Sequence, residues 1–298
     1  MVELKTLKKL GDYKDLSESE WLELRKLGLG GSDSGAVMGM SKYQSPFSIC
    51  MSKTNRSKDK DLSDNEAVWF GKWMERHIRK DLVRDYLKEK LDIEAEIIDP
   101  VSIWHSVKNP FMIVNVDGWI KIDGELSILE IKTGSSYALP EWGGVRGSKV
   151  PDSYYCQVQH YLGATGLNKC YIFGVIGGKR LLRIVERNED FIKDLIQREN
   201  ELFEIIKKND MLEFPLPSGL DCDTEVLAEL EVFGDAEIDE HDTKDYLKCL
   251  EIEKEIKSKK AELKNKIMLS LKGNKSAKNE KFVVRINEIN TTHSTGQN

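Results

Sequence analysis

The tightest constraint on the fold is a change of hydrophobic period between Glu66 and Lys132. From Glu66 to Leu91 the apolar positions Val68, Trp69, Trp73, Ile78, Leu82, Val83, Tyr86 and Leu87 recur at helical spacing. From Ile93 onward the pattern breaks into short strand-like segments: Glu94 to Ile98, Ile113 to Val116, Trp119 to Ile122 and Leu126 to Ile131. The turn Ile122-Asp-Gly-Glu125 joins the last two as a hairpin, because Asp-Gly tolerates the positive φ that tight hairpin turns require. Further on, Tyr154 to Ala164 reads as a helix, Cys170 to Val175 and Leu181 to Val185 as strands, and Asp190 to about Lys208 as a helix. Helices on both sides of these strands predict an α/β (α+β) core, a central mixed sheet flanked by helices.

Three segments lie outside that pattern. Near the amino end, Ser-Glu-Ser-Glu caps a helix over Ser17 to Arg25 that carries Trp21, Leu22 and Leu24. It runs into a glycine-rich turn, Gly28 to Gly35, then the small-residue segment Ala36 to Gly39 and Pro46 to Ile49. Ser52 to Asp64 is polar and reads as an exposed loop; it can touch DNA or be solvated, and solvation is the expectation. At the other end, residues 210–242 contain twelve acids and no Lys or Arg, with Pro215 and Pro217 at the start, which predicts an acidic linker after a 1–209 core. Residues 243–298 then form a Lys-rich extension. A helix is expected over Thr243 to Lys272, with Leu247, Leu250, Ile256, Leu263, Ile267 and Leu271, then a short strand, Phe282 to Ile286. This helix can pack on its own chain, on a partner or against DNA; its own chain is the expectation.

Composition excludes some classes. The 298 residues hold no apolar run near the roughly 20 needed to cross a bilayer, and Met1-Val-Glu-Leu-Lys lacks a secretion signal's apolar stretch. No membrane association and a cytoplasmic location are expected. Five scattered cysteines without a C-x-x-C pair indicate neither a disulfide framework nor a zinc or iron–sulfur site. The net charge of −6 does not suggest nucleic acid, yet it does not exclude a positive groove within an acidic exterior.

The strongest chemical signal is Asn115-Val-Asp117-Gly followed by Leu129-Glu130-Ile-Lys132. Alternate strand residues share a face, so an aspartate on one hairpin strand and a Glu-x-Lys on its partner can bring two carboxylates and an ammonium together. Two hard oxygen donors suit Mg²⁺, and the lysine can orient or help deprotonate an attacking water. Each residue alone also has an ordinary explanation, Asp117 as a turn and Glu130 with Lys132 as a solvated strand face. The otherwise apolar run Ser127 to Lys132 argues against surface decoration. Glu75, on the long helix, can complete the metal shell or simply pair with Arg79 at i,i+4. Gln157 and Tyr161 stand one helical turn apart and can face the same site. Arg25 and Ser32 bracket the glycine-rich turn and can form a phosphate pocket, or a tight turn with a structural arginine.

Taken together, Trp21-x-x-x-Arg25, Gly30-Gly-Ser32-Asp, Gly71-x-x-x-Glu75, Asp117-Gly, Glu130-x-Lys132 and Gln157-Val-Gln159 resemble the phage lambda-type (YqaJ-type) recombination exonucleases. These lie within the PD-(D/E)xK nuclease superfamily, and the resemblance covers roughly Trp21 to Arg198. It implies a restriction-endonuclease-like core and a 5′→3′ exonuclease that resects linear double-stranded DNA to leave a 3′ single strand. It also implies a homotrimeric ring, a single-strand annealing recombinase as partner, and a bacterial host cell or prophage setting. By analogy Asp117, Glu130 and the main-chain carbonyl of Ile131 hold Mg²⁺, with Mn²⁺ as a substitute and two ions expected, and Glu75 completes the shell. Lys132 then positions the water, Gln157 supports the water or the scissile phosphate, and Arg25 with Ser32 holds the 5′ phosphate, with Tyr161 facing the same site. Where the family pattern has a serine two residues before the aspartate, this chain has Asn115, whose amide also donates hydrogen bonds. Competing readings are a PD-(D/E)xK endonuclease, a helicase-associated nuclease module, and a non-catalytic DNA-binding protein of the same fold.

Overall fold

A computed structural model describes residues 2–58, 64–230 and 240–270, and the backbone of two short strands at 276–278 and 283–285. The chain divides into two compact units, Met1–Glu231 and Val232–Asn298.

In the first unit the order is β1 (Leu7–Asp12), α1 (Glu18–Lys26), β2 (Leu29–Gly30), α2 (Gly31–Val37), α3 (Pro46–Lys53) and α4 (Glu66–His77). A π-helical turn, Ile78–Leu82, joins α4 to α5 (Val83–Leu91). Then come β3 (Ala95–Ile98), β4 (Ser102–Ser106), β5 (Met112–Val114), β6 (Gly118–Ile122), β7 (Glu125–Gly134), α6 (Asp152–Thr165), β8 (Lys169–Ile176), β9 (Lys179–Glu186), α7 (Glu189–Lys208) and α8 (Asp221–Ala228). The expected mixed sheet has the order β3-β6-β7-β8-β9, with β7 and β8 parallel and the other neighbours antiparallel. The β6–β7 hairpin turns on Asp123 and Gly124, both at positive φ, as its Asp-Gly sequence predicts.

Three features differ from the sequence reading. A second sheet, β1-β4-β5-β2, stands beside the first and takes the Ile113–Val114 strand out of the central sheet. Its β1 sequence, Leu-Lys-Lys-Leu-Gly-Asp, is mostly polar, and β2 is only two residues long, so neither shows a strand period. Gly28 permits the parallel β2–β5 contact: a Cβ there would meet the Phe111 carbonyl oxygen at 2.2 Å, the same oxygen that accepts from Leu29 N–H at 2.7 Å. The helix read as continuous over Glu66 to Leu91 contains the π turn, and its Trp69 and Trp73 face outward instead of inward. The glycine-rich turn is shorter than read, because Gly31 onward is helical.

Both faces of the central sheet are covered, and β7 shows how. Leu129 and Ile131 point to a cluster with Ile78, Val83, Leu87, Ile120 and Phe173, on the side of α4 and α5. Ile128 points the other way, to Val158 and Leu162 of α6 and Ile192 of α7. The strand's two-residue period therefore sends Glu130 and Lys132 to the α6 side. The first half of the acid-rich stretch after Asp210 carries α8, whose Val226 packs beside Phe47, Ile49 and Phe214. In the second unit α9 (Glu240–Ser270) is an exposed helix laced with ion pairs such as Lys244–Glu240 and Lys266–Glu262. Strands β10 (Ser276–Lys278) and β11 (Val283–Arg285) pair antiparallel. Residues 59–63 of the polar loop, 231–239 of the acidic linker, Leu271 and Lys272 of the expected helix, Phe282 and Ile286 of the expected strand, and the polar end lie outside the described residues.

Helices α2, α6 and α7 meet at a fully buried pair. His160 Nδ1 lies 2.8 Å from Glu199 Oε1, and Ser34 Oγ donates to the same oxygen at 2.7 Å. His160 Nε2 lies 3.0 Å from the Ile113 carbonyl, which only accepts, so both ring nitrogens face acceptors and the imidazolium satisfies both. Burial opposes that charge, but Glu199 outweighs it and holds the His160 pKa above its ordinary 6.5. A raised folded-state pKa contributes stability in full below about 6.5, and that stability is lost as pH climbs through the folded value. Glu199→Gln should lower stability by about 1.5–3 kcal/mol near pH 6. In urea unfolding the gap to wild type should narrow toward pH 9; a pH-independent gap would contradict a charged pair.

Candidate active site

The β6–β7 register places Gly118 opposite Leu129, so Asp117 stands across from Glu130 on the α6 side of the hairpin. Asp117 Oδ2 accepts from the backbone N–H of Ile131 at 2.7 Å, which locks the aspartate against the strand that bears its partners. On that strand Lys132 Nζ donates to Glu130 Oε1 at 2.7 Å and to Gln157 Oε1 at 3.0 Å. Gln157, one turn into α6, donates from Nε2 to the same Glu130 oxygen at 2.7 Å. Glu130 Oε1 is thus held twice, whereas Oε2 is buried with no hydrogen-bond partner. Leaving such an oxygen unpaired costs on the order of 1–3 kcal/mol or more, a cost that a bound cation removes.

Electrostatics follow from this crowding. Burial and then the Glu130 charge push the Asp117 pKa well above the usual carboxylate range, despite Lys132. Glu130 is likewise raised, mainly by burial. Lys132 is desolvated too, but Glu130 and Asp117 outweigh burial and keep its pKa above the ordinary lysine value. The ammonium also lies 4.6 Å from the centre of the Tyr154 ring. One buried carboxylate, Glu130, and one half-buried, Asp117, share one lysine.

A cavity of about 290 Å³ opens over this group. Asp117, Glu130, Ile131, Lys132, Gln157, Tyr161, Glu75, Asn115, Arg25 and Ser32, all the residues singled out in the sequence, line it, together with Gly71 and Thr133. Glu75 takes the pairing with Arg79: Nη1 of Arg79 donates to Glu75 Oε1 and to the Asp117 carbonyl, both at 2.7 Å, while its Nε reaches Asp99 Oδ1 at 2.9 Å. Arg79 therefore ties α4 to the backbone of Asp117. Gln157 spends its amide on Glu130 and Lys132. Tyr161 donates its hydroxyl to the Asn115 carbonyl at 2.8 Å, and a Cβ on Gly31 would strike its ring at 2.7 Å, so the glycine lets α2 seat against α6.

The other end of the cavity is built to donate. Arg25 Nη2 lies 3.1 Å from Ser32 Oγ, and its guanidinium lies 4.8 Å from the centre of the Trp21 ring. Asn115 Oδ1 accepts from Tyr13 OH at 2.7 Å and Trp21 Nε1 at 3.3 Å. An indole N–H can only donate, so the amide orientation is fixed, and its NH₂ group makes no hydrogen bond among the described residues. Beneath, the half-buried Lys53 reaches Asp33 Oδ2 at 3.0 Å and the Arg25 carbonyl at 2.9 Å, bracing both sides of the Arg25–Ser32 pair. Sequence reasoning missed Tyr13 and Lys53, and it read Arg79 only as a partner of Glu75, because Tyr13 acts through Asn115, 102 positions away, and Lys53 and Arg79 act through the backbone carbonyls of Arg25 and Asp117. The spacing Glu75-x-x-x-Arg79 was the one signal that reached any of them.

No group of three or more His, Cys, Asp and Glu side chains converges as a metal cage among the described residues. The oxygen donors at the cavity are two carboxylates on the hairpin and the neighbouring main chain, with Glu75 held aside by Arg79.

The model of the YqaJ-like viral recombinase domain matches residues 20–168, half of the chain and the whole stretch that contributes the cavity-lining residues. The uncharacterized protein YqaJ of Bacillus subtilis (strain 168) is 32% identical over 199 residues, 65% of this chain. The chain spans 58% of that relative's length. Among solved structures, the fold is similar to an alkaline exonuclease (LHK-Exo) from Laribacter hongkongensis, with a TM-score of 0.50 and 17% identity over 64% of this chain and 93% of the other. The same enzyme in complex with dAMP gives a TM-score of 0.51 and 16% identity over the same shares. The chain belongs to the YqaJ-like viral recombinase domain family.

Proposed function

We propose that this chain is a Mg²⁺-dependent nuclease that digests linear double-stranded DNA from a 5′ end and exposes a 3′ single strand for phage-type homologous recombination. The observation that carries this reading is the unpartnered Glu130 Oε2 beside Asp117, at one end of a cavity whose other end offers Arg25, Ser32 and Asn115. Carboxylate oxygens at one end suit a hard divalent cation that keeps waters and meets substrate phosphate, and donors at the other suit a terminal phosphate.

Asp117, Glu130 and the Ile131 carbonyl would hold Mg²⁺, with Mn²⁺ able to replace it and Glu75 entering when Arg79 releases it. A divalent cation there supplies Lewis-acid stabilisation of charge on the phosphoryl oxygens. Lys132 has three N–H donors, two of them spent on Glu130 and Gln157, so one remains to orient the attacking water. Gln157 keeps Glu130 and Lys132 in register and supports that water through Lys132. At the far end Arg25 donates to the 5′ phosphate alongside Ser32 Oγ, and the fixed Asn115 NH₂ adds donors in place of the hydroxyl of the family pattern. Tyr161 holds Asn115 by its backbone.

The test is Mg²⁺-dependent digestion of three substrates: linear duplex with 5′ phosphate, linear duplex with 5′ hydroxyl, and a covalently closed circle. Hydrolysis of the phosphorylated linear duplex and sparing of the circle are expected. Lys132→Ala should lower the rate by on the order of a hundredfold or more. Arg25→Ala should raise KM for the phosphorylated end by about tenfold or more and leave the hydroxyl end unchanged. Cutting of the circle would replace an exonuclease by an endonuclease, full activity of Lys132→Ala would remove the lysine's role, and absence of any hydrolysis by the wild type would leave a DNA-binding protein of the same fold.

Resemblance to the lambda-type enzymes further supports a homotrimeric ring working in the host cytoplasm with a single-strand annealing recombinase. Among the described residues no helix is long and apolar enough to cross a membrane. Sedimentation at micromolar concentration should give the mass of three chains; a monomer with processive activity would remove the ring.

A further inference from the structure

Arg79 makes more contacts than an i,i+4 partner of Glu75 needs. Its side chain is 11% exposed and belongs to the π turn Ile78–Leu82 that follows α4. Its stem lies against the first residue of β6: a Cβ on Gly118 would meet Arg79 Cδ at 2.9 Å. Gly118 is not at positive φ, so its missing side chain makes room for the arginine and serves no turn. The guanidinium then reaches two carboxylates and a carbonyl: Glu75 Oε1 and the Asp117 oxygen from Nη1, and Asp99 Oδ1 from Nε.

Tying α4 to the hairpin needs only the Asp117 carbonyl and Asp99. The contact with Glu75 differs in kind, because Glu75 lines the cavity with Asp117 and Glu130, and Asp99 does not. Arg79 is the one hydrogen-bond partner of Glu75 among the described residues. Lys132 spends its contacts on Glu130 and Gln157. Three carboxylates of the cavity are thus answered by two cations, with Arg79 assigned to the acid that Lys132 does not hold. A divalent ion arriving at Asp117 and Glu130 repels a guanidinium bound to the Asp117 carbonyl and attracts the carboxylate that the guanidinium holds.

We propose that Arg79 is a positioning residue that competes with the divalent ion for Glu75 and so sets how tightly the site binds that ion. Without the ion, Arg79 keeps Glu75 engaged. As the ion settles on Asp117 and Glu130, Glu75 turns to it or to one of its waters, and Asp99 with the Asp117 carbonyl retains the freed guanidinium. Release therefore breaks one of three contacts and strands no buried charge. The inference rests on the metal-binding part of the preceding reading, and not on hydrolysis or strand polarity.

The test is calorimetric titration of Mg²⁺ into the full chain without DNA, arranged as two double-variant cycles. Arg79→Gln should tighten binding by about fivefold or more. In the Glu75→Gln background that gain should fall to about twofold or less. Asp99→Asn leaves Arg79 in place but removes its alternative carboxylate, so it should weaken binding by about twofold to fivefold, and only while Glu75 is present. Asp99 is exposed and outside the cavity lining, so this cycle reads the competition even where Arg79→Gln loses its circular dichroism. Equal effects in both backgrounds would make Arg79 a through-space charge, and weaker binding by a folded Arg79→Gln would make it a support of the site. Either result overturns the competition and leaves the ion at Asp117 and Glu130. Absence of saturable Mg²⁺ binding by the wild type would remove the metal reading together with the competition.

Discussion

Glu130 is buried with one oxygen held by two donors and the other by none, and the rest of the site is arranged around that imbalance. Its position follows from strand geometry. Glu130 and Lys132 face α6 because Leu129 and Ile131 fill the opposite core, and a one-residue slip in register would exchange the two sets. The Asp-Gly turn fixes that register. Asp117 comes opposite Glu130 by the same pairing and is pinned by the Ile131 N–H. Two carboxylates and one ammonium leave a surplus of negative charge in a poorly solvated place, which protein interiors maintain only where something compensates it.

The opposite end of the cavity depends on a different set of elements. Helix α1 supplies Arg25 and Trp21, the start of α2 supplies Ser32, and the segment after β5 supplies Asn115. Lys53 braces the first two from below through Asp33 and the Arg25 carbonyl. Tyr13 and Trp21 fix the Asn115 amide, and Tyr161 holds its backbone. Donors are therefore set in place before a ligand arrives, which reduces the ordering cost of binding. Arg79 and the His160–Glu199 pair tie these parts to α4 and α7, so the cavity is a meeting point of both sheets and four helices.

Much of this was legible in the sequence because it rests on local periods. The β6–β7 hairpin, the helices bearing Glu75 and Gln157, and the cap that starts α1 all follow from spacing or from a turn dipeptide. All ten site residues named from sequence line one cavity. What was not legible is long-range or depends on orientation. The second sheet joins β1, β2, β4 and β5 across about a hundred residues, with a mostly polar β1 and a two-residue β2 that carry no period. Trp69 and Trp73 fit the helical repeat yet lie on its outer flank, since a period gives the face of a helix only to within one side-chain row. The π turn after His77 shifts that row again.

The central claim is that Glu130 Oε2 and Asp117 await a divalent cation, and calorimetric titration of Mg²⁺ into the DNA-free protein addresses it directly. Saturable binding is expected, with Glu130→Gln weakening it by about tenfold to a hundredfold and the fold unchanged by circular dichroism. Equal Mg²⁺ affinity in wild type and Glu130→Gln would contradict the account.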